Sequence, residues 1–183
     1  MSGSGRRPWV LLVVSATLVA VTGHAAPQWL VEELRDRYRR SYIEKSAPEA
    51  GKAFGIGAVL VVAADEIRAN PLRISQLDPK SPRFHLGDFA PLEIGESGQL
   101  TASSGSMSLA KGTRVVVIDL KIDADRVRLF THTVEPVGTP SGVSLYGCTE
   151  FVFRFAPSVL DRGDIREIEQ RIDEWIPLLQ PRG

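Results

Sequence analysis

One cysteine, three histidines, two methionines and no excess of either charge leave this chain of 183 residues few chemistries to choose from. Cys148 stands alone, so no intramolecular disulfide can form, and an exported form must be stabilised by its core. A structural zinc site needs about four Cys, His or carboxylate ligands at short spacings. No such spacing occurs, and the expectation is no metal, no cofactor and no disulfide. With 22 basic and 22 acidic residues there is no electrostatic case for nucleic acid or for a membrane surface as partner. No Gly-x-Ser-x-Gly elbow is present, which removes the commonest serine hydrolase arrangement. Gly55-x-Gly57 lacks a third glycine and a following helix, so it is no phosphate loop. Internal repeats and coiled-coil heptads are also missing.

One long apolar run is present, at the N-terminus. Arg6 and Arg7 precede the hydrophobic stretch 9–21, and small residues follow. That is the layout of a secretory signal peptide, predicted over residues 1–25 with cleavage after Ala25. The alternative is an uncleaved anchor, for which the run is short of the roughly 20 residues a span requires. Gly5 and Pro8 around the arginine pair favour the general secretory route over twin-arginine export. No cysteine lies near the cleavage region, which argues against a lipid anchor. Removing residues 1–25 takes away Arg6 and Arg7 and no acid, so the 22 basic residues become 20 against 22 acidic ones. The expected location is the periplasm or the extracellular space, with residues 26–183 forming a single domain.

The most legible stretch is 112–133, GTRVVVIDLKIDADRVRLFTHT, two strands joined by an acidic turn. Side chains alternate across a strand. Val116, Ile118, Leu120 and Ile122 therefore share one face, as do Val127, Leu129 and Thr131. The opposite face carries Val115, Val117, Asp119 and Lys121, then Arg126, Arg128, Phe130 and His132. Two registers fit. A two-residue Asp123-Ala124 turn sets Asp119 opposite Arg128 and Val117 opposite Phe130. A four-residue loop through Arg126 sets Lys121 against Arg128.

Around the hairpin, residues 27–45 read as a helix with Leu30, Leu34, Tyr38 and Tyr42 on its apolar stripe. Residues 55–63 read as a short strand, apolar on both faces and therefore central in a sheet. Residues 64–111 are broken by Pro71, Pro79, Pro82 and Pro91 and read as a poorly ordered insert, with 100–109 a small polar loop. Residues 72–77 could add an edge strand. Residues 143–155 alternate Val143, Leu145, Thr149, Phe151, Phe153 and Phe155 against Ser144, Tyr146, Cys148, Glu150 and Arg154, giving a long amphipathic strand. Residues 164–179 read as a closing helix, capped by Asp164 with Glu167, striped by Ile165, Ile168, Ile172, Trp175 and Leu179, and supported by a Glu167–Arg171 pair.

Candidate chemistry is sparse. Asp119, Arg128 and His132 lie on the charged face of the hairpin and form the one polar cluster that could act together; ordinary cross-strand pairing explains them as well. His85 and Asp88 share a His-Leu-Gly-Asp loop. Cys148 sits in a strand without an adjacent base or cation to activate its thiol. Asp123 with Asp125 and Asp161 with Asp164 read as turn and cap chemistry, and the first pair has too few oxygens for calcium.

The order helix, Gly-rich strand, irregular segment, Leu109-x-x-Gly112-x-x-Val115-x-Val117, hairpin, Phe151-x-Phe153 strand and final helix resembles a group of uncharacterised exported bacterial proteins. The Gly-x-x-Val-x-Val lead into a twisted hairpin also resembles the start of small SH3-like barrels. The resemblance implies a fold and no activity, so no catalytic residue is carried over.

These observations predict an α+β domain: a small, bent antiparallel sheet or partial β-barrel flanked by N- and C-terminal helices over its open side. The expected function is non-catalytic, a binding or interaction module. Alternatives are a carrier of a small apolar ligand held between sheet and helices, walled by residues 55–63 and 113–118, and a hydrolase working through residues 64–111 with Asp88, His85 or His132. Its partner is an unknown protein or that apolar ligand.

Overall fold

The structure, a computed structural model, describes residues 26–43, 54–55 and 57–179. The expected signal peptide over 1–25 lies outside the described residues. What is described is an α+β fold: three helices and a curled sheet that forms an open half-barrel.

The helix α1 (Gln28–Arg37) buries Leu30 and Leu34 at its i,i+4 spacing, and Tyr38 follows into the same core. It ends at Arg37, eight residues before the predicted boundary. Tyr38 leaves the helical region with φ −100° and ψ 54°, and the chain runs on into β1 (Tyr42–Ile43), paired with β2 (Phe54–Gly55). Tyr42 is consequently exposed and off the apolar stripe. The reason lies at residues 39–41, whose backbone bonds to the strand Arg114–Ile122 and to the residue before the strand Val59–Val61: Ser41 N–H donates to Val117 O at 2.7 Å, and Ala58 N–H to Arg39 O at 2.8 Å.

The main sheet runs β3 (Val59–Val61), β8 (Arg114–Ile122), β9 (Arg126–Thr133), β10 (Leu145–Arg154), β4 (Arg68–Arg73), β7 (Met107–Ser108). The long strand β10 has two partners on one edge. Residues 145–148 pair antiparallel with β4, and residues 149–153 pair parallel with β5 (Ala90–Ile94), which in turn pairs with β6 (Leu100–Ser103). That split lets the sheet curl. Residues 64–111, predicted as an irregular insert, thus supply strands β4 to β7.

The strand read at 55–63 is confined to Val59–Val61 and occupies the end of the sheet order, not its centre. Its two-sided apolarity is nevertheless explained. The chain end runs along its outer edge, with Val61 N–H donating to Pro177 O at 2.9 Å and Leu179 N–H to Val59 O at 2.8 Å. The closing helix is correspondingly shorter than predicted. After α2 (Pro157–Arg162), α3 spans Ile165–Asp173, and residues 177–179 are spent on this edge. Asp164 caps α3 by accepting Glu167 N–H at 3.4 Å. The turn between α2 and α3 requires Gly163, whose φ is +67° and over which the Trp29 ring lies so closely that an added Cβ would sit 2.3 Å from it.

The hairpin takes the four-residue loop. Ile122 faces Val127 and Lys121 faces Arg128, while Asp119 faces Phe130. A β-bulge between Val117 and Asp119 shifts the register. It overturns the single-face reading of β8. Val115, Val117 and Leu120 enter the main core, whereas Ile118 belongs to a second, smaller one. The bulge is held by backbone and side-chain bonds: the Val117 carbonyl accepts both Ser41 N–H and Ser41 Oγ–H, and Leu120 N–H donates to Asp119 Oδ1 at 3.0 Å. β9 keeps its predicted parity, with Val127 and Leu129 inward.

The main core joins α1, α2 and α3 to one sheet face through Leu30, Leu34, Leu92, Val117, Leu129, Phe151, Phe153, Ile168 and Ile172. On the other face, residues 74–89 fold over the sheet as a cap. Leu72, Leu77 and Phe89 close on Ile118, Phe130, Tyr146 and Cys148, with Ile74, Phe84 and Leu86 packed alongside. Phe89 meets Phe84 and Phe130 edge to face, at centroid distances of 6.2 and 5.6 Å. This cap makes β10 buried on both faces, where the sequence predicted one.

Candidate functional site

The polar cluster proposed on the hairpin is dispersed. Asp119, Arg128 and His132 share a sheet face, but Phe130 stands between the last two along β9, and each has a separate task. Asp119 holds the bulge and pairs with Arg40 at 2.5 Å. Arg128 pairs with Glu150 at 2.6 Å and stacks over Phe130, 5.2 Å from its centroid, with Lys121 at 5.8 Å from the same ring. His132, expected at a partly exposed position, is wholly buried beneath the cap. Its Nδ1 hydrogen-bonds the Thr133 carbonyl at 2.8 Å and its ring meets Tyr146 edge to face at 5.7 Å. Burial pushes its pKa down to about 4.

The remaining charges of this face form a ladder. Arg154 bridges Glu93 at 3.2 Å and Asp125 at 3.0 Å, and Arg126 bonds Asp125 at 2.7 Å. The Arg126 hydrogen bond holds Asp125 below the usual carboxylate range. Asp123 adds longer contacts to Arg126 and Arg128. Asp123 and Asp125 thus do turn and pairing work. The expected Glu167–Arg171 pair is replaced: Arg171 donates instead to the Gly95 and Glu96 carbonyls, at 3.2 and 2.5 Å. Cys148 is buried, and desolvation raises its thiol pKa, the opposite of activation. Among the described residues, no three His, Cys, Asp or Glu side chains come together as metal donors.

The cap carries what the hairpin does not. Its apolar residues, Ile74, Leu77, Phe84, Leu86 and Phe89, turn inward onto the sheet, which leaves the interleaved polar ones facing out. Arg73, Ser75, Gln76, Pro82, Arg83, His85 and Asp88 line a cavity of about 370 Å³. Two 3₁₀ turns, Ile74–Gln76 and Leu86–Asp88, set its walls. Gln76 Oε1 accepts Arg73 N–H at 3.0 Å, closing the first turn. The second is tied to β4 through Asn70 Nδ2, which donates to Asp88 O at 3.0 Å. Asp88 N–H donates to His85 O at 3.0 Å.

His85 and Asp88, singled out in the sequence, are therefore brought together, and His132 is kept apart under the cap. Arg73, Ser75, Gln76 and Arg83 were missed. The available signal was the alternation within 73–89, where apolar anchors at irregular spacing leave polar residues between them. Ser75, His85 and Asp88 share the cavity, but no hydrogen bond joins their side chains among the described residues.

No protein-family model, curated protein or solved structure matches this chain. Among the described residues, no helix is long and apolar enough to cross a membrane.

Proposed function

We propose that this protein is a non-catalytic binding module of the cell envelope, and that the cap cavity receives an anionic group of its ligand. One observation carries the reading. Arg73 and Arg83 line a single cavity, and among the described residues neither guanidinium forms an ion pair. Arg35, Arg39, Arg68, Arg162 and Arg166 are likewise without an ion pair among the described residues, and what distinguishes Arg73 and Arg83 is that they line one cavity together. A guanidinium presents a planar fork of donors that matches carboxylate or phosphate, and two of them beside an imidazole favour an anion. The basic start, apolar run and small-residue exit of residues 1–25 support export.

The hydrolase alternative draws on one fact, that Ser75, His85 and Asp88 share the cavity. It would require His85→Ala to abolish turnover of some ester or amide. The apolar-carrier alternative finds less support, because Leu60, Val62, Val115 and Val117, its intended walls, belong to the packed core.

Isothermal titration of the wild type and of the R73A/R83A double variant with acetate, alanine and inorganic phosphate tests the proposal. Both arginines are exposed, so the double variant should keep its melting temperature and lose binding at least tenfold. Equal binding by the two proteins, or no binding of any of these three compounds by the wild type, would sink the reading.

A further inference from the structure

Resting on the cavity reading above, we infer that the ligand is a small zwitterion, carrying a carboxylate and an ammonium group as an α-amino acid does. The inference comes from Asp88. Asp88 lines the same cavity as the two arginines, and among the described residues its carboxylate forms no ion pair with Arg73, Arg83 or any other cation. A site built for a bare anion gains nothing from a carboxylate on its wall, which repels the ligand and partly cancels the guanidinium field. A ligand bearing both charges converts that cost into a second contact: carboxylate to Arg73 and Arg83, ammonium to Asp88.

The position of Asp88 is held by the backbone, not by its carboxylate. Asn70 Nδ2 binds its carbonyl at 3.0 Å, and its own N–H closes the turn to His85 O at 3.0 Å. The carboxylate is thereby left for a ligand. Ser75 supplies a neutral hydroxyl, and Gln76 keeps its Nε2 as a donor while its Oε1 is engaged by Arg73 N–H. The cavity volume, about 370 Å³, lies at the small end of the roughly 300–1,000 Å³ typical of small-molecule sites. An amino acid or a dipeptide fits that scale.

The test is isothermal titration of the full chain with alanine, N-acetylalanine, alanine methyl ester and inorganic phosphate. Alanine should bind at least tenfold more tightly than N-acetylalanine, which keeps the carboxylate and loses the ammonium, and than the ester, which does the reverse. In Asp88→Asn the preference should vanish, with N-acetylalanine and phosphate binding at least as well as alanine. If the wild type binds N-acetylalanine or phosphate as tightly as alanine, the zwitterion inference is wrong and the anion cavity survives. If none of the four binds, the cavity reading falls and takes this inference with it. Should Asp88→Asn fail to fold, the wild-type comparison of alanine with N-acetylalanine decides alone.

Discussion

Acid should weaken this fold through a single imidazole. His132 is fully buried between β9, β10 and the cap, and its pKa falls from 6.5 to about 4 because burial penalises the charged ring. Above pH 6.5 the ring is neutral in both folded and unfolded chains and contributes no pH dependence. As pH falls below 6.5, the unfolded chain takes up the proton first, so the folded state loses stability until the ring titrates there too, near pH 4. A shift of that size corresponds to about 3 kcal/mol in full, and to about 2 kcal/mol at pH 5. Most carboxylates titrate lower, so the interval from pH 7 to pH 5 belongs mainly to histidine. Urea unfolding at pH 7, 6 and 5 should show the wild type losing roughly that 2 kcal/mol, while His132→Gln changes much less over the same interval. Parallel slopes for the two proteins would refute the reasoning. An imidazole resonance of His132 titrating near pH 6.5 in the native protein would do so even if the variant does not fold.

Three further outcomes follow from the packing. Phe153 is buried in the main core, stacked on Phe151 at 6.2 Å, so Phe153→Ala should cost about 3–5 kcal/mol in chemical unfolding, and an unchanged melting temperature would contradict the assignment. Gly163→Ala forces a Cβ onto a left-handed residue and into the Trp29 ring, and should destabilise by about 1–2 kcal/mol from the backbone alone, with a change in Trp29 fluorescence as the ring moves. Cys148 should react with a thiol reagent only when the protein unfolds, because its thiol is buried and its pKa raised; rapid labelling at neutral pH in native buffer would show that the cap does not close over it.

The charged face of the hairpin shows how a correct local pattern misleads about function. Asp119, Arg128 and His132 do share one face of the strand pair. Their roles depend on Arg40, Glu150 and Tyr146, which are distant in sequence. Arg40 reaches Asp119 because the helix stops early and residues 39–41 run along β8. Nothing in the alternation of residues 114–122 announces that Val117 will offer its carbonyl to Ser41. The cavity has the same character. His85 and Asp88 were visible as a loop pair, but Arg73 and Arg83 join them only because the apolar residues between them find a sheet face to cover.

What the amino-acid order determined by itself is the burial of individual side chains within short elements. Period-2 alternation placed Val127, Leu129, Phe151 and Phe153 inside, a four-residue spacing placed Leu30 and Leu34 inside, and Asp164 marked the start of the last helix. Those signals are local, because each residue's hydrophobicity is felt against its neighbours along one element. Tertiary structure alone decided the bulge at Val117–Asp119, the change of partner along β10 from β4 to β5, the sealing of β3 by the chain end, and the cap that buries His132 and assembles the cavity. Each of these satisfies a backbone group or an apolar surface with a partner dozens of residues away. Such a pairing is settled by the geometry of the whole curled sheet and leaves no periodic trace in the chain.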